Sequence, residues 1–208
     1  MARILAIDTV LDACAVSVSN GKKTQSFYEP MGRGQTERLL PMILEACEAV
    51  GLELNHIDAV AVTRGPGSFT GVRVGLSVAR TLSTIHNIPL YGLTTFEAIS
   101  TLLDPHGDDK NTYGIALSSK RDDVYFQKQG ETAYLSTVND IRNEYPDLHI
   151  YGNVEGVEAI PLDALTASMI DAVERGLYEA GKLTPVYLRD ADISKSKKSY
   201  RETDVSFG

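Results

Sequence analysis

Residues 58–87 combine an apolar run, a glycine-proline loop and a long helical pattern, and this combination constrains the fold more than any other stretch. The run 59–62 predicts a buried strand, and Gly65-Pro66-Gly67 predicts the tight loop that ends it. Ser68 belongs to the residue types that cap helix N-termini, so we expect a helix from there to about Ile85. The stretch therefore predicts a strand, a tight loop and a helix in succession.

Small residues recur every four positions in this helix, at Gly71, Gly75, Ala79 and Ser83. They lie along one face and form a groove that another element can approach closely. A glycine inside a helix costs about 1 kcal/mol relative to alanine, so close packing must compensate for two of them. The remaining faces are almost entirely apolar, which is typical of a helix buried in its own domain or shared with a partner. The sequence leaves both alternatives open.

The composition is that of an ordinary globular protein, with 43% hydrophobic and 23% charged residues among 208. A chain of this length has room for one large domain or two small ones. Its formal net charge of -8 argues against nucleic-acid binding through the overall field and leaves only a local basic patch. Cys14 and Cys47 lack metal-site spacing, and the sequence has no signal peptide or transmembrane-length apolar run. We expect a cytoplasmic protein without membrane contact.

The order of predicted elements occurs twice along the chain: three strands, a helix, a strand and a helix. In the first half we predict strands at 3–7, 13–19 and 22–28, a helix at 36–50 with Thr36 as its N-cap, the central strand and helix, a strand at 89–93 and a helix at 94–103. In the second half we predict strands at 113–117, 123–128 and 132–135, a helix at 139–144, a strand at 148–151 and a helix at 162–180.

This order predicts two α/β lobes on mixed sheets, because hairpins pair strands antiparallel and crossovers pair them parallel. The Asn20-Gly21 pair predicts a type I′ turn in the first hairpin. A polar loop at 104–110 marks the boundary between the halves. We therefore predict an N-terminal lobe at 1–103, a smaller C-terminal lobe at 104–193 and a polar tail at 194–208.

Two places suggest a phosphate or nucleotide site, and each has a structural alternative that we favour. Gly65 and Gly67 precede a helix, as in phosphate loops, but their spacing to Gly71 is one residue too long for the dinucleotide fingerprint. Asp8-Thr9 ends the first strand, where α/β enzymes often keep a carboxylate, but no glycine follows up to residue 14. We interpret Asp8, Thr9, Gly65 and Gly67 as at most a vestigial nucleotide site.

No residue pattern predicts catalysis or metal binding. The histidines show no metal-ligand spacing, and a nucleophile elbow is absent from the sequence. The only dense basic cluster lies in the tail, where a solvated segment is favoured over RNA contact. The histidines are His56, His86, His106 and His149, and the basic residues are Lys195, Lys197, Lys198 and Arg201.

Five sequence blocks closely resemble the bacterial TsaB family, also called YeaZ, and they occur in the family's order over nearly the whole chain. The most specific is Arg64-Gly65-Pro66-Gly67-Ser68-Phe69-Thr70-Gly71. The blocks cover residues 3–9, 36–43, 64–75, 94–98 and 185–189.

The resemblance implies two actin-like (ASKHA, RNase H-like) lobes and a role in making threonylcarbamoyladenosine next to the tRNA anticodon. It implies a non-catalytic scaffold that binds the catalytic paralogue TsaD, with the ATPase TsaE joining the complex, tRNA engaged only through that complex, and a homodimer when TsaD is absent. The helices 36–50 and 68–85 correspond to the family's contact helices. The residues predicted to bind the partner are Leu39, Leu40, Ile43, Cys47, Gly71, Val72, Gly75, Leu76, Ala79 and Ser83.

The resemblance also implies that the chain has no cofactor of its own, and that ATP or ADP binds only at the complex with TsaD. Where the family often has Asp-Ala-Arg in the second lobe, this chain has Ser118-Ser119-Lys120, so a carboxylate facing a nucleotide is missing. The alternative hypothesis is an enzyme in its own right, either an ATP-dependent ASKHA-type enzyme or a peptidase of the kind suggested by the family's older label, glycoprotease. The lack of paired histidines and of an activated nucleophile argues against the peptidase.

Overall fold

The computed structural model describes residues 2–105, 112–119 and 122–188. Most of the predicted loop 104–110, Lys120 and the whole tail 194–208 lie outside the described residues. The strands are β1 Ile4–Asp8, β2 Ala13–Ser19, β3 Thr24–Pro30, β4 Ala59–Thr63, β5 Leu90–Leu93, β6 Tyr113–Ser118, β7 Val124–Lys128, β8 Tyr134–Ser136, β9 His149–Gly152 and β10 Glu158–Ala159. The helices are α1 Gln35–Ala49, α2 Phe69–His86, α3 Thr95–Leu103, α4 Val138–Glu144 and α5 Leu165–Glu174.

Two five-stranded mixed sheets share one topology. The first has the order β3-β2-β1-β4-β5 and the second β10-β9-β6-β7-β8. In each sheet the central strand pairs antiparallel with the next strand of its hairpin and parallel with a strand reached by a crossover. The two halves therefore repeat one sheet topology, and the predicted α/β fold class on mixed sheets is confirmed.

The fold has five layers, with a buried cluster on each face of the first sheet and a third on the outer face of the second. In order, the layers are α1 with α2, the first sheet, α3 with α5, the second sheet, and α4. Successive residues of a strand point to opposite faces, so β1 contributes Leu5 and Ile7 to the cluster under α1 and α2, and Ile4 and Ala6 to the opposite one. That opposite cluster contains α3 and α5 and also reaches β6 of the second sheet. The third cluster joins the far face of the second sheet to Ile141 of α4. The helices α3 and α5 thus lie between the two sheets, and one buried cluster crosses the predicted division at 103/104.

The two sheets differ in one connection. In the first sheet, α2 forms the crossover between β4 and β5, whereas residues 153–157 alone connect β9 to β10 in the second. The sequence did not predict β10, because its two residues form no apolar run and take their strand conformation from parallel pairing with Tyr151 and Gly152. The second lobe therefore lacks a counterpart of α2 in the described residues.

Three predicted details at element ends are wrong. A four-residue loop connects β2 to β3, with Asn20 Oδ1 accepting the backbone N–H groups of Lys22 and Lys23, so the turn is not the two-residue type I′ turn. Helix α1 is preceded by Gly34 at φ 100°, which makes Thr36 a residue of the first turn and not the N-cap.

The last helix ends at Glu174 and not near residue 180. Gly176 adopts a φ of 71°, its N–H bonds the carbonyl of Val173, and the N–H of Leu177 bonds the carbonyl of Ala172. These bonds form the C-terminal motif that glycine favours. The residue in the sequence that indicates the end of α5 is therefore Gly176, which the prediction of a helix to residue 180 overlooked.

Candidate functional site

The carboxylate at the end of β1 faces inward. Asp8 is only 2% exposed, and its Oδ1 accepts a hydrogen bond from the Thr63 hydroxyl at 2.5 Å and from the Val10 N–H at 3.3 Å. Burial raises the pKa of the Asp8 carboxyl, and hydrogen bonds from Thr63, Val10 and Leu11 act in the opposite direction. Asp8 thus ties the end of β1 to β4 and to the turn that follows β1.

We expect Asp8→Ala to lower the free energy of unfolding by about 2–4 kcal/mol, because it leaves the buried Thr63 hydroxyl and Val10 N–H without their acceptor. Asp8→Asn keeps a carbonyl oxygen at the same place and should lose less than half as much. Urea unfolding of the wild type and both variants measures the difference. An alanine variant as stable as the wild type would contradict this structural role.

Other residues of the chain occupy the space beside Gly65 and Gly67, the two glycines that were candidates for phosphate contact. A Cβ on Gly67 would lie 2.8 Å from the Val10 carbonyl oxygen, and one on Gly65 would lie 2.5 Å from that of Val186. Both glycines have positive φ, at 92° for Gly65 and 149° for Gly67, so the turn requires them for backbone reasons. Thr9 donates its hydroxyl proton to the Gly71 carbonyl at 2.7 Å.

The N-terminus of α2 is likewise occupied by protein atoms. The Ser68 hydroxyl accepts the Gly71 N–H at 3.2 Å, which confirms Ser68 as the N-cap, and the Ser68 N–H bonds the Val10 carbonyl at 3.0 Å. The structure thus places Asp8, Thr9, Gly65 and Gly67 around one junction, where each contacts other residues of the chain.

A cleft of about 770 Å³ lies beside this junction. On the second-lobe side it is lined by Ser118, Ser119 and Tyr125, so the described part of that wall has no carboxylate. Ser118 is held by Asn153, whose side-chain oxygen accepts the Ser118 N–H at 2.8 Å. On the first-lobe side the lining residues are Val10, Leu11, Asp12, Gly32, Arg33, Gly34, Gln35, Thr36, Glu37, Pro66, Gly67, Ser68, Phe69, Thr70, Val186, Tyr187 and Leu188.

The small-residue stripe of α2 packs against the chain's own first sheet. A Cβ on Gly71 would overlap the Thr9 carbonyl oxygen, and a Cβ on Gly75 would lie 2.7 Å from the Thr9 hydroxyl oxygen. Ala79 is fully buried, and Ser83 is half-buried with its hydroxyl donated to the Ile88 carbonyl at 2.6 Å. Of the two alternatives that the stripe left open, the structure shows burial in the home domain at Gly71, Gly75 and Ala79, whereas the half-buried Ser83 keeps some surface.

Most of the other residues predicted to bind a partner are also buried. They belong to the core cluster beneath α1 and α2, where they pack on β1, β2 and β4 and present no surface. The error arose because residues of the α1 apolar pattern were assigned together, although they belong to two sides of the helix. The buried residues are Leu39, Ile43, Cys47, Val72 and Leu76.

What remains exposed is a different set of side chains, which we call the α1–α2 face. Leu40 and Leu44 lie one helical turn apart on α1 and are about half exposed, at 48% and 51%. On α2, Val74 and Val78 are half-buried, and Ile85 continues their stripe toward the end of the helix. A groove of about 420 Å³ completes the face and is lined by Thr36, Phe69, Thr70, Arg73, Val74, Ser77 and Val78.

Sequence reasoning found only Leu40 of this face. The signal that was available is the spacing of Leu40 and Leu44, which lies off the stripe of Leu39, Ile43 and Cys47. An exposed apolar face on two neighbouring helices, flanked by polar residues, is typical of a protein-protein contact.

No group of three or more histidine, cysteine, aspartate or glutamate side chains that could hold a metal ion is found within residues 2–105, 112–119 and 122–188. Over the same ranges, none of the helices has both the length and the apolar character needed to cross a bilayer.

Comparison with known proteins identifies the family. A family model described as "TsaD: tRNA N6-adenosine threonylcarbamoyltransferase" matches residues 29–147, which is more than half of the chain. The tRNA threonylcarbamoyladenosine biosynthesis protein TsaB of Escherichia coli is 42% identical over 93 residues, covering 45% of this chain and 40% of that protein. TsaB of Haemophilus influenzae is 37% identical over 126 residues, covering 60% of this chain and 52% of that protein. The chain therefore spans about half the length of these curated relatives.

A solved structure described as "YeaZ from Pseudomonas aeruginosa" matches with a TM-score of 0.70 at 24% identity, covering 90% of this chain and all of that one. This likeness concerns the fold, and with the two mixed sheets it confirms the predicted α/β fold class. The chain belongs to the family that the TsaD model defines, and its predicted membership of the TsaB (YeaZ) proteins is confirmed.

Proposed function

We propose that the protein acts in the biosynthesis of threonylcarbamoyladenosine in tRNA as a non-catalytic subunit that binds and stabilises the catalytic paralogue TsaD. The observation that carries this proposal is the α1–α2 face, because it exposes leucine, valine and isoleucine side chains on two helices that already have a complete core beneath them. The relatives are named for threonylcarbamoyladenosine biosynthesis, and we extend that role to this chain.

The occupant we propose for the face is TsaD, because the TsaD family model matches residues 29–147, which include both α1 and α2. In the absence of TsaD, a second copy of this chain takes its place. TsaE joins the assembly, and tRNA is reached through the complex and not by this chain alone. A weaker, separate hypothesis is direct tRNA contact through the basic tail, Lys195 to Arg201, which lies outside the described residues.

The lack of a catalytic role is supported by the junction at the end of β1. The buried Asp8 carboxylate already accepts two hydrogen bonds, and Val186 and Val10 lie against Gly65 and Gly67, so these groups are engaged in holding the fold. We propose that the chain has no cofactor of its own and that ATP or ADP binds only in the complex with TsaD.

The alternative function is an ATP-dependent enzyme, and the cleft of about 770 Å³ between the lobes is the observation that favours it. The two hypotheses differ in what the isolated chain does. An enzyme of its own hydrolyses ATP without TsaD, and it loses that activity in Asp8→Asn, whose fold we expect to survive.

Size-exclusion chromatography with light scattering tests the proposal, using this chain alone and mixed with TsaD of the same organism, with and without ATP. We expect a homodimer that exchanges into a heterodimer with TsaD. A chain that elutes apart from TsaD under both conditions would overturn the scaffold function. ATP hydrolysis by the isolated chain that disappears in Asp8→Asn would support the enzyme instead.

A further inference from the structure

The segment Gly181–Leu188, which we call the C-terminal strap, returns from the second lobe to the first. Gly181 forms a parallel bridge with Tyr91 at the edge of the first sheet, and its N–H bonds the Leu90 carbonyl at 2.8 Å. Further along, the Val186 N–H bonds the Arg64 carbonyl at 2.8 Å. The strap therefore runs from the β5 edge to the loop that precedes α2.

Side chains of the first lobe hold the strap along its length. The guanidinium of Arg80, on α2, donates to the Leu183 carbonyl at 2.7 Å, and that of Arg64 donates to the Thr184 carbonyl at 3.1 Å. Gly92 leaves no room for a Cβ because the Lys182 carbonyl lies against it, as the Val186 carbonyl lies against Gly65. The first lobe is thus shaped to receive the strap backbone at two glycines and two arginines.

At its end the strap reaches the α1–α2 face. The ring of Tyr187 lies 5.0 Å from that of Phe69, centroid to centroid, and the Arg73 guanidinium carbon lies 3.8 Å above the Phe69 ring. Phe69 and Arg73 both line the groove of the α1–α2 face, whereas Tyr187 lines the cleft on the other side. Phe69 is therefore in contact with the strap on one side and with the groove on the other.

We propose that Tyr187 is a positioning residue for partner docking: the C-terminal strap, through Tyr187, holds Phe69 and Arg73 in the orientation that shapes the groove for TsaD. This inference rests on the proposed function and adds to it a control of the docking face from the far end of the chain. Aromatic contacts and cation-π contacts both depend on ring orientation. Removal of the Tyr187 ring frees the Phe69 ring, and the partner must then order it on binding.

The dissociation constant for TsaD, measured by isothermal titration calorimetry on the full chain, tests this role. We expect Tyr187→Ala to weaken binding about threefold to tenfold, in line with the energies of aromatic pairs. Tyr187→Phe keeps the ring and should bind like the wild type. The matched control is Tyr134→Ala, since Tyr134 packs edge-on against Phe126 at 5.5 Å in the second sheet, and it should leave TsaD affinity unchanged.

A double-mutant cycle distinguishes positioning from direct contact. In a Phe69→Ala background, Tyr187→Ala should have no further effect on affinity, because Tyr187 acts through Phe69. Additive losses would overturn the positioning role and make Tyr187 a contact residue. Wild-type affinity in Tyr187→Ala would overturn the strap inference while leaving the scaffold function standing. A wild-type chain that does not bind TsaD would overturn both.

Discussion

Gly71→Ala is expected to lower the free energy of unfolding by about 3–5 kcal/mol, although alanine is the better helix former. The added Cβ would overlap the Thr9 carbonyl oxygen, which is backbone at the end of a central strand and has no rotamer to change. The same change would push α2 away from Thr9 and so break the hydrogen bond from the Thr9 hydroxyl to the Gly71 carbonyl. Urea unfolding followed by circular dichroism measures the loss.

Ser77→Ala is the control on the same helix, because Ser77 is exposed and its change to alanine should shift stability by less than about 0.5 kcal/mol. Gly75→Ala should fall between the two, since the atom it would approach, at 2.7 Å, is the Thr9 hydroxyl and not backbone. A Gly71→Ala variant as stable as Ser77→Ala would mean that α2 can move away from β1 at little cost, and the packing explanation of the stripe would fail.

Leu44→Asp is expected to weaken TsaD binding by about a hundredfold or more, because it places a charge in the middle of an apolar contact. Leu44 is 51% exposed, so the folded chain should tolerate the change with little loss of stability. Affinity is measured by calorimetry, and the unfolding midpoint of the free chain checks the fold.

The chain offers a close match for this experiment in Leu177→Asp. Leu177 is 52% exposed, follows α5 and lies outside the α1–α2 face, so its replacement should leave TsaD affinity unchanged. Equal affinity of the Leu44→Asp and wild-type chains would exclude this part of the face from the interface. A loss in both variants would point to a general effect of added charge.

The strands of the first sheet and the start of α2 were predictable because each rests on a local rule. Apolar runs predicted the strands β1 and β4, alternation of apolar and small polar residues predicted β2, and Ser68 predicted the N-cap of α2. The capping box Thr94–Glu97 was also predictable, and both of its hydrogen bonds are present, at 3.0 Å and 2.6 Å. These features depend on neighbours within four residues.

The α1–α2 face was not predictable in the same way, because periodicity shows that a helix face is small or apolar and does not show what covers it. The groove of Gly71 and Gly75 is covered by Thr9, which lies more than sixty positions earlier in the chain. Leu39 and Leu40 are neighbours in sequence, yet one is fully buried and the other half exposed. Tyr187 contacts Phe69 although more than a hundred positions separate them in the sequence, so no local pattern predicts that contact.

The unequal connections of the two sheets limit the size of any assembly built through the α1–α2 face. Among the described residues, only the first sheet has a crossover helix such as α2, since residues 153–157 alone connect β9 to β10 in the second. The part of the repeat that the structure describes thus supplies one such helix pair and not two. A subunit with one such face can bind one neighbour through it, so that contact produces a pair. A copy of the face on each lobe would have allowed open-ended filaments.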